Sequence, residues 1–203
     1  ILVYDNFSRD SLSNKKIRSD NLKIVRDDIL NYDALRKQCE DFKPQIVVHL
    51  AAIAGIDTVI INPVKTLDVN INGTLNLLKA LEKYSDRLER FLDFSTSEVL
   101  GAYAYKSNEK SNTNFAPVGE GRWTYSISKV AGEHFVHSYY KQHGYPVVTI
   151  RPFNIYGPGQ VGEGAIQIFI KNVVRNKNIE IHGDGDQIRS WCYIEDMMDG
   201  IER

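Results

Sequence analysis

This chain of 203 residues contains few cysteines and no long apolar run, and its positive and negative charges nearly balance. Two cysteines, Cys39 and Cys192, are too few for the disulfide framework of a small secreted domain. A formal net charge of −1 excludes the basic surface typical of nucleic-acid-binding proteins. The apolar run 46–56 is interrupted by His49 and is too short to cross a bilayer. We therefore expect a cytoplasmic protein with neither a nucleic-acid nor a membrane partner.

Metal-binding motifs are scarce as well. Of the five histidines, His134 and His137 lie three residues apart, but neither a Cys nor a carboxylate motif accompanies them. This pattern lacks the ligand spacing of a zinc site, so we expect no metal.

Segments with strand and helix periodicity alternate along most of the chain. The predicted strands are 1–4, 22–26, 45–50, 90–94, 146–150 and 179–182, and the predicted helices are 32–42, 62–81, 125–143 and 166–175. The continuous Ile/Val/Leu run 45–50 is typical of a strand buried on both faces. This alternation predicts an α/β fold, a doubly wound parallel sheet with helices on both faces.

Polar or small residues follow most of the predicted strands. They are Asp5, Asp27 and Asp28, His49–Ala52, Ser95–Glu98, and Arg151–Asn154. Because ligands bind outside the carboxyl ends of parallel strands, we expect these residues to share one site. An acid such as Asp5 at a strand end can accept hydrogen bonds from the ribose of a dinucleotide, although a turn aspartate has the same pattern.

Two stretches carry the candidate chemistry, Ser95–Glu98 and Tyr125–Lys129. Tyr125 and Lys129 are four residues apart and would share one helix face. A cation beside a phenol favours the phenolate, which can act as a general base. Thr96 could donate to a developing alkoxide, and Glu98 could remove a proton next to a carbonyl. The alternative is that Thr96 caps a helix with Glu98 in its first turn.

Taken together, the motifs resemble the extended short-chain dehydrogenase/reductase family, the NAD-dependent nucleotide-sugar epimerases and dehydratases. They run in order as VYDN (3–6), DI (28–29), HLAA (49–52), NINGT (70–74), STSEVLG (95–101), YSISK (125–129), RPFNIYGP (151–158) and GDGDQIR (183–189). The resemblance implies a Rossmann-like domain over 1–157, without its first strand and glycine turn, and part of a substrate-binding region over 158–203. It also implies NAD as cofactor, a nucleotide-sugar substrate and a homodimer formed through the helices within 62–84 and 125–143.

The resemblance assigns a role to each matching residue. The implied catalytic residues are Thr96, Ser97, Glu98, Tyr125 and Lys129. The implied NAD-binding residues are Asp5, Asn6, Asp28, Ile29, Leu50, Ala51, Ala52, Asn70, Ser95, Tyr125, Lys129 and Pro152. The implied substrate-binding residues are Thr96, Asn154 and Arg189.

The branch of the family depends on a few side chains. Ser97 stands where dTDP-glucose 4,6-dehydratases have Asp, and Thr96-Ser97-Glu98 is similar to UDP-glucuronate decarboxylases and GDP-mannose 4,6-dehydratases. We therefore favour a decarboxylase- or dehydratase-type reaction that begins with oxidation at C4 of the sugar. The alternatives are a UDP-sugar 4-epimerase, a net NAD-dependent sugar dehydrogenase on the same fold, and a non-catalytic dinucleotide-binding regulator.

Overall fold

Strands and helices alternate in the computed structural model, which describes residues 1–9, 19–102, 104–162 and 164–203. The strands are β1 (Leu2–Asp5), β2 (Lys23–Arg26), β3 (Ile46–His49), β4 (Arg90–Phe94), β5 (Val147–Ile150), β6 (Asn154–Tyr156) and β7 (Trp191–Tyr193). The α-helices are α1 (Tyr32–Phe42), α2 (Ile56–Ile61), α3 (Pro63–Leu67), α4 (Gly73–Leu81), α5 (Thr124–His143), α6 (Ala165–Val174) and α7 (Ile194–Glu202). A π-helical segment, Asp68–Asn72, joins α3 to α4.

Every strand pairing among the described residues is parallel. β1 pairs with β2, β4 lies between β3 and β5, and β6 pairs with β7. The predicted α/β fold with parallel pairing is therefore confirmed, and the first five predicted strands match β1 to β5 within about two residues. The predicted strand 179–182 is wrong, because this stretch has no regular structure and Ile181 is 63% exposed. An apolar run forms a strand only where a partner strand accepts its hydrogen bonds.

The helices begin and end where local chemistry dictates. The Asn31 side chain caps α1 by accepting a hydrogen bond from the Ala34 N–H. Gly144, in the left-handed region at φ 71°, ends α5 and donates its N–H to the Tyr140 carbonyl. The segment 62–81, predicted as one helix, consists of α3, the π-helical segment and α4. The π turn interrupts the regular period of 3.6 residues on which that prediction rests.

The chain divides into two compact units. Among the described residues, the first comprises 1–7 and 19–151, and the second comprises 8–9 and 152–203. The core of the first unit brings together Leu35 and Cys39 of α1, Leu78 of α4, Phe91 of β4 and Val136 of α5. In the second unit, none of the described residues from 152 onward is fully buried.

The sheet β3-β4-β5 is buried more completely on one face than on the other. Side chains alternate between the two faces, and Val47 and Phe91 pack in the core. On the opposite face Ile46 and Val48 are 59% and 44% exposed, so the expectation of burial on both faces is wrong for β3. Within the described residues, no helix combines the length and the apolar composition needed to cross a membrane.

Candidate active site

A side-chain hydrogen bond joins the two stretches singled out in the sequence. After β4 the chain forms a short 3₁₀ helix, Ser97–Leu100, while Ser126 lies in the first turn of α5. The Ser126 hydroxyl donates to the Glu98 carboxylate at 2.8 Å. The end of β4 and the start of α5 therefore meet, as the sequence predicts.

Thr96 caps the 3₁₀ helix that carries Glu98. Its Oγ1 accepts the Glu98 N–H at 3.2 Å, so the capping alternative describes the local structure correctly. Capping uses an acceptor lone pair of the hydroxyl, and its O–H can still donate. Gly101 ends the turn at φ 88°, where an added Cβ would collide with the Asn114 carbonyl oxygen.

Lys129 is buried beneath the end of β4. Its Nζ donates to the Phe94 carbonyl at 2.6 Å, and 8% of the residue is exposed. Burial lowers the pKa of Lys129, while the negative charges of Asp93 and Glu133 oppose that effect. Tyr125 lies one helical turn earlier and is half-buried. The ammonium is thus fixed on the same helix face as the phenol.

Asn70, in the π-helical segment, ties the loop after β3 to the start of α5. Its Oδ1 accepts the Ile53 N–H at 2.7 Å, and its Nδ2 donates to the Ile53 carbonyl and to Ser128 Oγ. Ser128 Oγ in turn donates to the Tyr125 carbonyl at 2.6 Å. The amide, predicted to bind NAD, is engaged in contacts within the protein that position the helix turn carrying Tyr125.

His49, at the end of β3, is a buried neutral side chain. Thr74 Oγ1 donates to the Asn70 carbonyl at 2.7 Å, so it must accept at 2.8 Å from Nε2–H of His49. Burial, together with the charge of Lys129, lowers the pKa of His49 to about 3. His49 therefore adds no charge near Lys129.

Glu133 and Arg151 form a two-pronged ion pair one turn beyond Lys129. Arg151 Nε and Nη2 donate to the two Glu133 oxygens at 2.9 and 2.6 Å. Burial alone would raise the pKa of Glu133, but the Arg151 hydrogen bonds and charge hold it below its usual range. The pair fixes the residue that follows β5 against the middle of α5.

The acids that follow β1 and β2 are linked to each other. Asn6 Nδ2 donates to Asp28 Oδ2 at 2.9 Å, and the Leu30 N–H donates to Asp28 Oδ1 at 3.0 Å. The Leu30 hydrogen bond is the main reason why the pKa of Asp28 lies below its ordinary value. Asp5 Oδ1 accepts the Phe7 N–H at 2.6 Å, and Asp5 is exposed. Carboxylates at the ends of two paired strands form an acceptor-rich edge.

The other residues predicted to bind NAD in this unit differ in accessibility. Ile29 is part of the core, where it lies so close to Gly73 that a Cβ there would approach its Cγ2 to 2.6 Å. Leu50 is 62% exposed, whereas Ala51 and Ala52 are half-buried. Ser95 is buried, and its N–H donates to the Ile150 carbonyl at 2.8 Å.

Three predicted residues lie in the second unit. Asn154 begins β6, and its Nδ2 donates to the Ser190 carbonyl at 3.2 Å. Arg189 precedes β7 by two residues and is exposed, with Nη1 donating to the Ile188 carbonyl. Pro152 opens the continuous part of the unit and is half-buried. In the part of the chain that the structure describes, no cluster of three or more His, Cys, Asp or Glu side chains could hold a metal ion.

Several residues that support this site were missed in the sequence. Asp93 and Glu133 lie within segments interpreted only as strand and helix, and Ser126 and Ser128 were quoted only as motif letters. A signal was present for Asp93, because a charged residue interrupts an otherwise apolar strand. Glu133 lies four residues after Lys129, which is the same spacing that separates Lys129 from Tyr125.

Comparisons with known proteins show the family of the chain. The sequence model of the NAD dependent epimerase/dehydratase family matches residues 4–203. A dTDP-D-glucose 4,6-dehydratase from Dictyostelium discoideum is 35% identical over 188 residues, which are 90% of this chain and 43% of that protein. The chain spans about half the length of the curated relatives that it matches.

Two solved structures share the fold over most of the chain. A UDP-glucuronic acid 4-epimerase from Bacillus cereus, in complex with UDP-glucuronic acid and NAD, is 34% identical with a TM-score of 0.78, covering 91% of this chain and 55% of that one. A dTDP-glucose 4,6-dehydratase from Streptomyces venezuelae with NAD bound is 26% identical with a TM-score of 0.85, covering 98% and 60%. By the family match over nearly its whole length, this chain belongs to the NAD dependent epimerase/dehydratase family.

Proposed function

We propose that the protein modifies a nucleotide sugar in an NAD-dependent reaction that begins with oxidation at C4. The observation that supports this proposal is the contact between the end of β4 and the start of α5. Ser126 donates to Glu98, and Lys129 donates to the Phe94 carbonyl, so the segments that carry Thr96 and Tyr125 are joined. These segments carry the residue types that proton abstraction from a hydroxyl and from a carbon next to a carbonyl requires.

The donor set on the first unit fits a dinucleotide. Asp28 and Asn6 present a carboxylate and an amide beyond the paired strands β1 and β2, where ribose hydroxyls can donate to and accept from them. The small side chains of Ala51 and Ala52 allow close approach of a planar ligand, and the Lys129 ammonium is suited to the hydroxyls of the nicotinamide ribose. When bound, NAD supplies the hydride acceptor.

In this proposal, side chains of the protein transfer the protons of the reaction. Lys129 favours the phenolate form of Tyr125 because its charge is fixed one turn away. This phenolate takes the proton from the sugar 4-hydroxyl and becomes the neutral phenol, while the hydride at C4 passes to the cofactor. The Thr96 hydroxyl donates to the same sugar oxygen. A ketone at C4 acidifies the C5–H bond, and Glu98, held by Ser126, is the base we assign to that proton.

The type of product depends on the residues beside Thr96. Ser97 and Glu98 favour a dehydratase- or decarboxylase-type outcome over simple epimerisation. A C6 carboxylate beside a C4 ketone is a β-keto acid, which loses carbon dioxide readily. Epimerisation at C4 is the second candidate, and the 34% identity to a structurally similar 4-epimerase supports it. We assign Asn154 and Arg189 to the diphosphate and sugar of the substrate.

Product mass tests this function. The protein is incubated with NAD and a panel of UDP-, dTDP-, GDP- and CDP-sugars, and products are identified by mass spectrometry. Loss of water indicates dehydration, loss of carbon dioxide indicates decarboxylation, and an unchanged mass with altered retention indicates epimerisation. Stoichiometric accumulation of NADH would instead indicate a net dehydrogenase.

A matched pair of tyrosine variants tests the role of the phenol. Tyr125→Phe removes the general base and should lower kcat about 10²–10⁴-fold. Tyr140→Phe makes the same change at an exposed position on the same helix and should leave kcat unaltered. Equal activity of the two variants would contradict the assignment of Tyr125.

We also propose that the protein is a homodimer. Ile56, Ile60, Ile61 and Val64 are exposed on α2 and α3, and α3 packs beside α5, where Ile127 and Tyr140 are exposed as well. Exposed apolar patches of this kind mark interaction surfaces. Ile60→Glu should shift the protein to a monomer in analytical ultracentrifugation, whereas Val174→Glu, at an exposed position of α6, should not.

Two further assignments rest on sequence and fold. We propose that residues 1–157 bind NAD and that 158–203 belong to the substrate-binding region, and the unit boundary after Arg151 supports a division near this point. The cytoplasmic location stays a prediction from composition.

A further inference from the structure

Asp93 belongs to a row of polar side chains that runs across the sheet β3-β4-β5. The strand register places His49 and Thr149 directly beside it on the two neighbouring strands. Ser95, two residues further along β4, shares the same face because side chains alternate. Asp93 is 4% exposed and directly precedes Phe94, whose carbonyl oxygen holds the Lys129 ammonium. A buried carboxylate thus lies one residue from the anchor point of Lys129.

This carboxylate is poorly satisfied by hydrogen bonds. Within the part of the chain that the structure describes, Asp93 Oδ2 and Thr149 Oγ1 are buried without a hydrogen-bond partner. Burial raises the pKa of Asp93 to about 6, although the charge of Lys129 acts in the opposite direction. An ionised carboxylate in such a place is destabilising for the fold, and an uncharged residue of the same shape would be less so. Unfavourable groups of this kind concentrate where function requires them.

Two acids act on the Lys129 ammonium, Asp93 and Glu133, and only Glu133 is paired with another cation among the described residues. From β3, His49 faces Asp93 as a neutral ring, and from β5, Thr149 is uncharged. From α5, Lys129 and Glu133 act on it, and Glu133 is already paired with Arg151 and also lies within reach of the charge of His137. Glu133 also attracts the Lys129 ammonium, but its charge is already balanced by Arg151. Asp93 is the other acid that acts on Lys129, and it forms no ion pair among the described residues.

We propose that Asp93 is a positioning residue that keeps the buried Lys129 ammonium charged on the Phe94 carbonyl and thereby maintains the positive charge beside Tyr125. Asp93 does not touch the substrate in this assignment and acts through Lys129. The importance of that charge for catalysis rests on the proposed function, but the coupling between Asp93 and Lys129 is a property of the folded chain alone.

The coupling can be measured without cofactor or substrate. In protein labelled with ¹³C at the lysine ε-carbon, the Lys129 signal is identified by its loss in Lys129→Met and followed by NMR through a pH titration. In the unsubstituted protein this signal should show an inflection near pH 6, as Asp93 ionises. No inflection would overturn the proposal, and this measurement requires no variant at Asp93 to fold.

Variants sharpen the same measurement. Asp93→Asn should lower the pH midpoint of the Lys129 titration, because the substitution removes a negative charge that favours the ammonium. Asp93→Glu should keep the original midpoint, and Asp86→Asn, an exposed aspartate in the same unit, should have no effect. An Asp93→Asn midpoint equal to that of the unsubstituted protein would overturn the proposal.

The consequence for activity is a separate readout. In Asp93→Asn the alkaline limb of the kcat/KM profile should move to lower pH by the same amount, with KM for the sugar nucleotide unchanged near neutral pH. A shifted Lys129 titration with no turnover of any sugar nucleotide by the unsubstituted protein would refute the proposed function and leave the coupling intact. A shifted titration with an unshifted activity profile would overturn the role in catalysis.

Discussion

Two aspartates of this chain respond to folding in opposite ways. Asp28 follows β2 and receives the Leu30 N–H and the Asn6 amide, so its pKa lies below the ordinary value. Asp93 lies within β4, where its Oδ2 has no hydrogen-bond partner among the described residues and burial raises its pKa to about 6. The comparison shows that the supply of donors, together with burial, decides whether a carboxylate stabilises or destabilises this fold.

The groups that act on the two aspartates also differ in their distance along the sequence. Asp28 receives its main hydrogen bond from a residue two positions further along the chain. Asp93 interacts with charges on α5 that are brought to it only by tertiary packing. Substitutions in the buried cluster of Asp93, Lys129, Glu133 and Arg151 should therefore change the free energy of unfolding more than substitutions at the strand ends of β1 and β2.

The largest effect is expected at the ion pair beside Asp93. Arg151→Met would leave the Glu133 carboxylate, 8% of whose side chain is exposed, without its cation. Breaking a buried pair by removing one partner costs about 3–5 kcal/mol, so the free energy of unfolding in urea should fall by about that amount.

The exposed pair Arg36–Glu40 provides the matched control. Its side chains are 51% and 43% exposed, so Arg36→Met should cost at most about 0.5 kcal/mol. If Arg151→Met and Arg36→Met lowered the free energy of unfolding by similar amounts, burial of the Glu133–Arg151 pair would not make it more important for stability than the exposed pair.

The second effect is a gain of stability that depends on pH. Because the folded-state pKa of Asp93 is raised from 3.8 to about 6, the folded protein binds its proton more tightly than the unfolded chain between these values. Stability contributed by this group therefore falls as the pH rises from about 4 to about 6 and stays reduced above that. Asp93→Asn should raise the free energy of unfolding by about 2–3 kcal/mol at pH 8 and change it little at pH 4. A loss of stability at pH 8 would mean that the attraction between the charges of Asp93 and Lys129 outweighs the burial of the carboxylate.

The fold was largely predictable from the sequence, because its signals are local. The helix over 32–42 follows from apolar spacing, and its bounds are those of α1. The strand over 90–94 likewise matches β4. The strands β6 and β7 were not predicted, since three-residue strands have too little periodicity to identify.

The candidate site was only partly predictable. The meeting of Thr96–Glu98 with Tyr125–Lys129 follows from strand-end placement and helix spacing, and the hydrogen bond from Ser126 to Glu98 bears it out. Two other features depend on contacts between residues far apart in the sequence, which no local pattern encodes. They are the hydrogen bonds of the Asn70 amide with the Ile53 backbone and the lack of a hydrogen-bond partner for Asp93 Oδ2 among the described residues. The roles of the predicted side chains toward NAD and substrate stay predictions.

The smallest effect is expected at Asp28, the half-buried aspartate of the comparison. Its folded-state pKa is depressed, so its contribution to stability is present above the ordinary value of 3.8 and is lost as the pH falls through the lower folded-state value. Asp28→Asn removes the charged acceptor of the Leu30 N–H and should cost about 1 kcal/mol at pH 7, with the difference vanishing in strong acid. Urea unfolding at a series of pH values measures both limits. Because the sign is opposite to that expected for Asp93→Asn at the same pH, a shared sign for the two variants would show that hydrogen-bond supply does not explain the contrast.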